Sequence, residues 1–249
     1  MKNLICLMAV LALLTLAPMA NASMQLSYSV NGGPATVCPA GTGPSAGPVT
    51  CVTPNPPGIL TVGSVTITSF SALSNSPGTA ANSNEFDSTL QIANNGTATA
   101  TVILWTTAQD FTSPTAPPGL SWSNEESLDG TTGTTTGQAI DCADPTNALA
   151  PPGTATFCSS VGALKNTNIP ETINGAASAS NTNTISVASL SKPYSLSSQI
   201  TLILSPGATM HFEDSQILTP VPEPTSVLLL GGVLLGVTSL VRKKIAKRT

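Results

Sequence analysis

The 17 residues from Thr225 to Val241 carry no charged side chain, and five basic residues follow at once: Arg242, Lys243, Lys244, Lys247 and Arg248. A helix rises 1.5 Å per residue, so this stretch sits near the short limit for crossing a hydrocarbon core about 30 Å thick. A helix buried in a soluble core would not end in so dense a basic cluster. Positive charge is retained on the cytoplasmic side of a membrane. The pattern therefore predicts one transmembrane helix over 225–241, a cytoplasmic tail over 242–249 that halts translocation, and all preceding chain outside.

The opening residues have a matching character. Met1-Lys2-Asn3 is a short basic start, Leu4 to Ala17 is apolar, and Ala20-Asn21-Ala22 supplies the small residues that signal peptidase requires. This predicts a secretory signal peptide over 1–22, cut after Ala22, with Ser23 as the mature start. Cys6 lies too early, with no apolar segment before it, to be a lipid-modified first residue.

Pro222-Glu223-Pro224, the short Leu/Gly/Val span containing Gly231-Gly232, and the basic tail together resemble the PEP-CTERM sorting signal of Gram-negative bacteria, also labelled an "ice-binding protein C-terminal" region. The resemblance covers 221–249. It implies that Pro222, Glu223 and Pro224 are recognised by an exosortase-type transpeptidase in the inner membrane. It further implies transient or stable anchoring there, removal of the span, and delivery to the cell surface or exopolysaccharide matrix. The logic parallels other C-terminal signals whose hydrophobic tail is an address that the mature protein loses.

Residues 23–220 are then the exported ectodomain, and its charge differs from that of the whole chain. Only Lys165 and Lys192 are basic, against eleven acidic residues, for a net of −9 where the full sequence has −4. No basic patch is available for nucleic acid. Hydrophobicity alternates with period two, as half-buried strands require. Ile200-x-Leu202-x-Leu204 and Met210-x-Phe212 flank Pro206-Gly207, predicting a hairpin, and Phe86–Ala93, with Leu90 and Ile92 on one face, and Ala98–Thr106 flank Asn94-Asn95-Gly96, predicting a second. Gln25–Val30, Ile59–Phe70, Thr154–Cys158, Thr184–Leu190 and Tyr194–Ser198 are further strand candidates, whereas Thr131–Gln138 and Asn174–Asn183 read as exposed loops. The expected fold is all-β, an antiparallel β-sandwich.

Four cysteines remain in the ectodomain: Cys38, Cys51, Cys142 and Cys158. An even number in an exported chain favours disulfides, with three connectivities open. Cys38–Cys51 and Cys142–Cys158 are preferred, each closing a Pro/Gly-rich loop, of 12 and 15 residues. Neither pair has zinc-ligand spacing, and the chain has a single histidine.

Signals for chemistry are sparse. Gly43-Pro44-Ser45-Ala46-Gly47 matches the nucleophile-elbow pattern, but it lies among prolines where the required helix cannot readily follow. His211 is flanked by Met210 and Phe212 on a strand and reads as structural. Glu125-Glu126-x-x-Asp129 and Glu85-x-Asp87 offer oxygen ligands for calcium without an EF-hand pattern, and paired carboxylates could also serve glycoside hydrolysis. Trp105 and Trp122 read as core residues, and the threonines of Thr131–Thr136 do not make the repeated array an ice-matching face needs. Asn95-Gly96-Thr97 matches a glycosylation acceptor but coincides with a turn. The chain is thus expected to be a non-enzymatic surface or matrix protein with no required cofactor or metal. A calcium-stabilised binding module or adhesin is the alternative, and a secreted hydrolase the lesser one.

Overall fold

At Gly133 the chain leaves one β-sheet and enters another within a single residue, between strands β9 (Leu120–Thr132) and β10 (Thr134–Asp144). Its φ of +72° is open to glycine, and a Cβ there would lie 2.7 Å from Ala208 Cα. Corners of this kind organise the whole molecule. The computed structural model describes residues 23–44, 49–51, 59–117, 119–149 and 157–221. The signal-peptide residues, including Ala20 and Ala22, and the sorting segment with Pro222, Glu223, Pro224 and its basic cluster lie outside the described residues, as does Ser45. Among the described residues no helix is long and apolar enough to cross a membrane.

The expected sandwich is observed, and every strand pair in it is antiparallel. The first sheet runs in the order β11 (Leu164–Thr167), β10, β14 (Tyr194–Leu204), β8 (Ala100–Phe111), β1 (Ser23–Val30) and β2 (Thr36–Pro44), and β12 (Glu171–Asn174) also pairs with β10. The second runs β13 (Ser178–Val187), β9, β15 (Thr209–Pro220), β7 (Ser83–Asn94), β5 (Val65–Thr68) and β4 (Ile59–Val62). Along the edge of β7 that also carries β5, β6 (Ser71–Ser74) pairs with residues 85–88, and β3 (Val49–Thr50) pairs with β6.

Alternating burial builds the core from the facing sides. β15 sends in Met210, Phe212 and Leu218, β14 sends in Leu196, Ile200, Leu202 and Leu204, and β9 sends in Leu120, Trp122 and Leu128. Trp122 and Trp105 are both buried as expected, Trp122 within the cluster between the sheets and Trp105 outside it. Trp105 alternates with Leu104 and Thr106 on β8 and is buried on the opposite side of that strand, where its indole Nε1 donates to Gln199 Oε1 at 3.1 Å.

Both expected hairpins are corrected. β7 and β8 flank the Asn-Gly turn but belong to different sheets, and so do β14 and β15 around Pro206-Gly207. Packed sheets stand about 10 Å apart, and the connections of five and four residues, 95–99 and 205–208, carry the chain across that gap. The apolar alternation on each leg was real, but the legs face each other across the core and do not pair edge to edge. Thr131–Gln138 is likewise not a loop, since it contains the β9–β10 corner, and Asn174–Asn183 includes much of edge strand β13. Ile59–Phe70 is not one strand. It folds at Gly63-Ser64 into the β4–β5 hairpin, where Gly63 has φ +59°. In the candidate Thr154–Cys158, residues 154–156 lie outside the described residues and Cys158 sits in a turn.

Three corners, β7–β8, β9–β10 and β14–β15, stack at one end of the sandwich. Gly207 N donates to Asn94 O at 2.9 Å, and Ser205 N to Thr134 O at 2.9 Å. The Asn94 side chain is fully enclosed, and its Nδ2 donates to the carbonyls of Ala98 (2.8 Å), Leu204 (3.2 Å) and Ser205 (3.2 Å). The turns at Asn31-Gly32, Gly63-Ser64 and Gly175 join the same end. Residues 31–35, 63–64, 95–99, 131–134, 174–177 and 205–208 there include no charged and no aromatic side chain.

Candidate functional site

The end opposite the corners gathers the two places where the described chain begins and stops. β1 starts at Ser23, and its hydroxyl donates to the side-chain amide oxygen of Gln109 near the end of β8. β15, lying between β9 and β7, runs to Pro220, and Val221 N then donates to Gly119 O at 2.8 Å. Antiparallel register fixes this polarity, because Met24 faces Ala108 while Val30 faces Val102, and Leu218 faces Ser83 while Thr209 faces Ala93. Whatever precedes Ser23 and follows Val221 therefore leaves from one end, and the charge-free corner end points the other way.

Both preferred disulfides form. Cys38 on β2 bonds Cys51 just after β3, stapling the edge of the first sheet to a strand of the second. Cys142 on β10 bonds Cys158, tying the turn at Cys158 to the first sheet.

The interior holds what the sequence reading missed. Five of the eleven ectodomain carboxylates point between the sheets and are 0–2% exposed: Glu85, Asp87, Glu126, Asp141 and Asp214. Register aligns Glu126, Asp214 and Asp87 in one row of the second sheet, and Asn124, Gln216 and Glu85 in the next. Asp141, Ser198 and Thr106 form a row of the first sheet. Burial raises all five carboxyl pKa values, and the neighbouring acids add to the rise for Glu85, Asp87, Glu126 and Asp141. Glu126 is pushed up to about 7 and Asp214 to about 6. The compensating contacts are few. Gln216 Nε2 donates to Glu85 Oε2 at 2.6 Å, Ala139 N to Glu126 Oε2 at 3.0 Å, and Ser198 Oγ to Asp214 Oδ2 at 2.6 Å. Gly137 on β10 leaves room for this packing, since a Cβ there would meet Leu128 at 2.8 Å and Glu126 at 2.9 Å. A signal for these rows was present in Phe212-x-Asp214-x-Gln216-x-Leu218, where an acid and an amide occupy the buried phase of an otherwise apolar alternation.

The calcium candidates come apart accordingly. Glu125 and Glu126 project from opposite faces of β9, Glu125 and Asp129 outward and Glu126 inward. Glu85 and Asp87 both point inward from β7. Among the described residues no group of three or more His, Cys, Asp or Glu side chains is placed to hold a metal ion. The five interior acids are also sealed from any substrate, so they are not a glycosidase pair. His211 Nε2 lies 3.1 Å from Glu213 Oε1 on the outer face of the second sheet. The threonines of Thr131–Thr136 are split by the corner, with Thr135 buried and Thr134 exposed, and Asn95 of the acceptor pattern donates from Nδ2 to Thr66 Oγ1 at 3.1 Å.

The outer face of the second sheet has one shallow depression where an aromatic ring meets carboxylates. It is lined by Phe86, Glu125, Ser127, Glu213, Asp214 and Ser215, and Phe86 is 38% exposed. Ser215 of β15 pairs with Phe86 on one side and Glu125 on the other. The two flanking residues are thus about 10 Å apart across two strand spacings.

The family described as the PEP-CTERM protein-sorting motif matches residues 220–244, so the chain carries that motif, a signal for export through an exosortase-type system. No curated protein matches the chain. Among solved structures, TmCBM61 in complex with β-1,4-galactotriose is 7% identical with a TM-score of 0.31, over 59% of this chain and 86% of that one. The adhesin domain of Epf from Streptococcus pyogenes is 11% identical with a TM-score of 0.34, over 81% of this chain and 60% of that one. The CBM22-1-GH10 modules of a Clostridium thermocellum xylanase are 11% identical with a TM-score of 0.30, over 56% of this chain and 22% of that one. Likeness at these scores carries no argument about ligand or activity.

Proposed function

We propose that this is a non-enzymatic exported protein, delivered by its C-terminal segment to the cell surface or exopolysaccharide matrix. The observation that carries the reading is the sorting motif over 220–244, which begins at the last residue of β15. On this reading signal peptidase releases residues 1–22, the span 225–241 anchors the chain in the inner membrane, and the basic tail holds it there. An exosortase-type transpeptidase then engages Pro222, Glu223 and Pro224. The sandwich stands directly on this segment, with Ser23 and Pro220 both at its membrane-facing end, so the uncharged corner end is the one presented outward. The two disulfides suit an oxidising destination.

A second reading, a surface binding module, is favoured by the depression around Phe86. A half-exposed ring offers a stacking surface, and carboxylates and hydroxyls beside it offer hydrogen bonds to a sugar.

The sorting reading is tested by inserting an epitope between Thr97 and Ala98 at the corner end and following it in an exosortase-bearing host. Wild type should reach the surface or matrix. A Pro222→Ala, Glu223→Ala, Pro224→Ala variant should stay with the inner membrane. The same location for both sinks the reading.

A further inference from the structure

The interior acids join the two sheets in a way that depends on protons. Asp141 lies on β10 of the first sheet and Asp214 on β15 of the second, both fully enclosed. Neither Asp141 oxygen finds a donor. Asp141 stands in register with Ser198, whose hydroxyl reaches across to Asp214, so the group that faces it for a hydrogen bond is the Asp214 carboxylate, itself an acceptor. Two carboxylates can form that bond only when one keeps its proton. Asp214 also accepts from Ser198 of the first sheet at 2.6 Å, which favours Asp214 as the ionised partner and Asp141 as the proton holder.

Nothing positive faces the pair. β7 brings Glu85 and Asp87, β9 brings Glu126 with neutral Asn124, and β12 brings Glu171 toward Glu126. β8 and β14 bring only the hydroxyls of Thr106 and Ser198. Lys165, Lys192 and His211, the basic residues among those described, lie at the surface or on the outer face. Without its proton the Asp141–Asp214 contact is two negative charges held together in a dry interior, at the seam where the sheets meet.

We propose that the Asp141–Asp214 carboxyl pair is a proton-dependent clasp between the two sheets, which makes the sandwich firm in acid and looser as its surroundings turn alkaline. The direction follows from proton counting. The folded chain binds protons at these sites more tightly than the unfolded chain does, so their contribution is complete below the ordinary carboxylate range of about 4. It drains as pH rises through the folded value of the proton holder Asp141, which burial and the neighbouring acids hold well above that range. This is opposite to ordinary acid denaturation, where salt-bridged carboxylates lose stabilising charge as pH falls.

The test uses the full chain, purified in detergent with a chelator present, and follows thermal unfolding through the buried Trp122 between about pH 5 and about pH 9. Wild type should melt at steadily lower temperature as pH rises. Asp141→Asn places a permanent amide donor opposite Asp214, so the clasp no longer needs a proton. This variant should melt several degrees above wild type at the alkaline end and show a shallower slope. A flat or rising wild-type profile overturns the proposal, and so does a folded Asp141→Asn protein that keeps the full wild-type slope. Millimolar calcium that removes the slope from wild type overturns it as well, since the acids would then be a cation site. Should Asp141→Asn fail to fold, the wild-type profile with and without calcium decides the matter.

Discussion

The Asn94 side-chain amide donates to the main-chain oxygen of Leu204 at 3.2 Å, joining two corners that are 110 residues apart in sequence. The same Nδ2 reaches Ala98 and Ser205, and Asn94 Oδ1 accepts from Gly96 N at 3.0 Å. One enclosed side chain thus satisfies groups on both the β7–β8 and β14–β15 crossings. Asn94→Ala strands these buried partners and should cost about 2–4 kcal/mol, since an unsatisfied buried polar group costs about 1–3 kcal/mol. Asn94→Asp keeps the shape but loses the donors, so urea denaturation should place it near the alanine variant and well below wild type.

Glycines should separate by their surroundings. A Cβ at Gly78, where φ is +80°, would stand 1.9 Å from the Ser113 carbonyl oxygen, whereas at Gly207, with φ +71°, it meets nothing within 4 Å. Gly207→Ala therefore carries only the left-handed strain, about 1 kcal/mol. Gly78→Ala adds displacement of the Ser113 backbone and should lower Tm by at least twice as much in the same thermal scan.

Alkylation without reduction should leave Cys38, Cys51, Cys142 and Cys158 of the mature protein unlabelled. Replacing Cys38 and Cys51 together by Ser should destabilise by about 3 kcal/mol on the chain-entropy account. That bridge also ties the two sheets at their edge, so its loss should leave the β3–β6 region exchanging amide hydrogens faster than β14.

Phe86→Ala and Glu125→Gln alter an exposed depression and should each shift stability by no more than about 0.5 kcal/mol. If the ectodomain binds sugar there, isothermal titration with oligosaccharides of the host matrix should show lower affinity for both variants with folding unchanged. No difference from wild type removes the binding-module reading at this face.

The amino-acid pattern carried the sandwich class and both disulfides. It carried strand phase as well, because residues such as Phe212 and Leu202 alternate whatever partner they meet. Pairing was not legible. An Asn-Gly turn after Ala93 has the same local chemistry whether the next strand pairs with β7 or crosses to face it, and the choice between the two lies in contacts as remote as Asn94 to Leu204. Gly133 hid a one-residue corner inside a threonine-rich stretch that looked like a loop. The interior acids were visible as letters but not as a cluster, since register brings Asp87 to Asp214 and only the packing of the two sheets brings Asp141 to them.

The most direct test of the central claim is the intact mass of the mature protein recovered from its native host. Export and sorting require a species well below the 25.0 kDa of the full chain, beginning at Ser23 and lacking the 225–241 span. A variant with Pro222, Glu223 and Pro224 all replaced by Ala should retain that span. Recovery of the span in wild type, with the same mass in both proteins, would contradict the account.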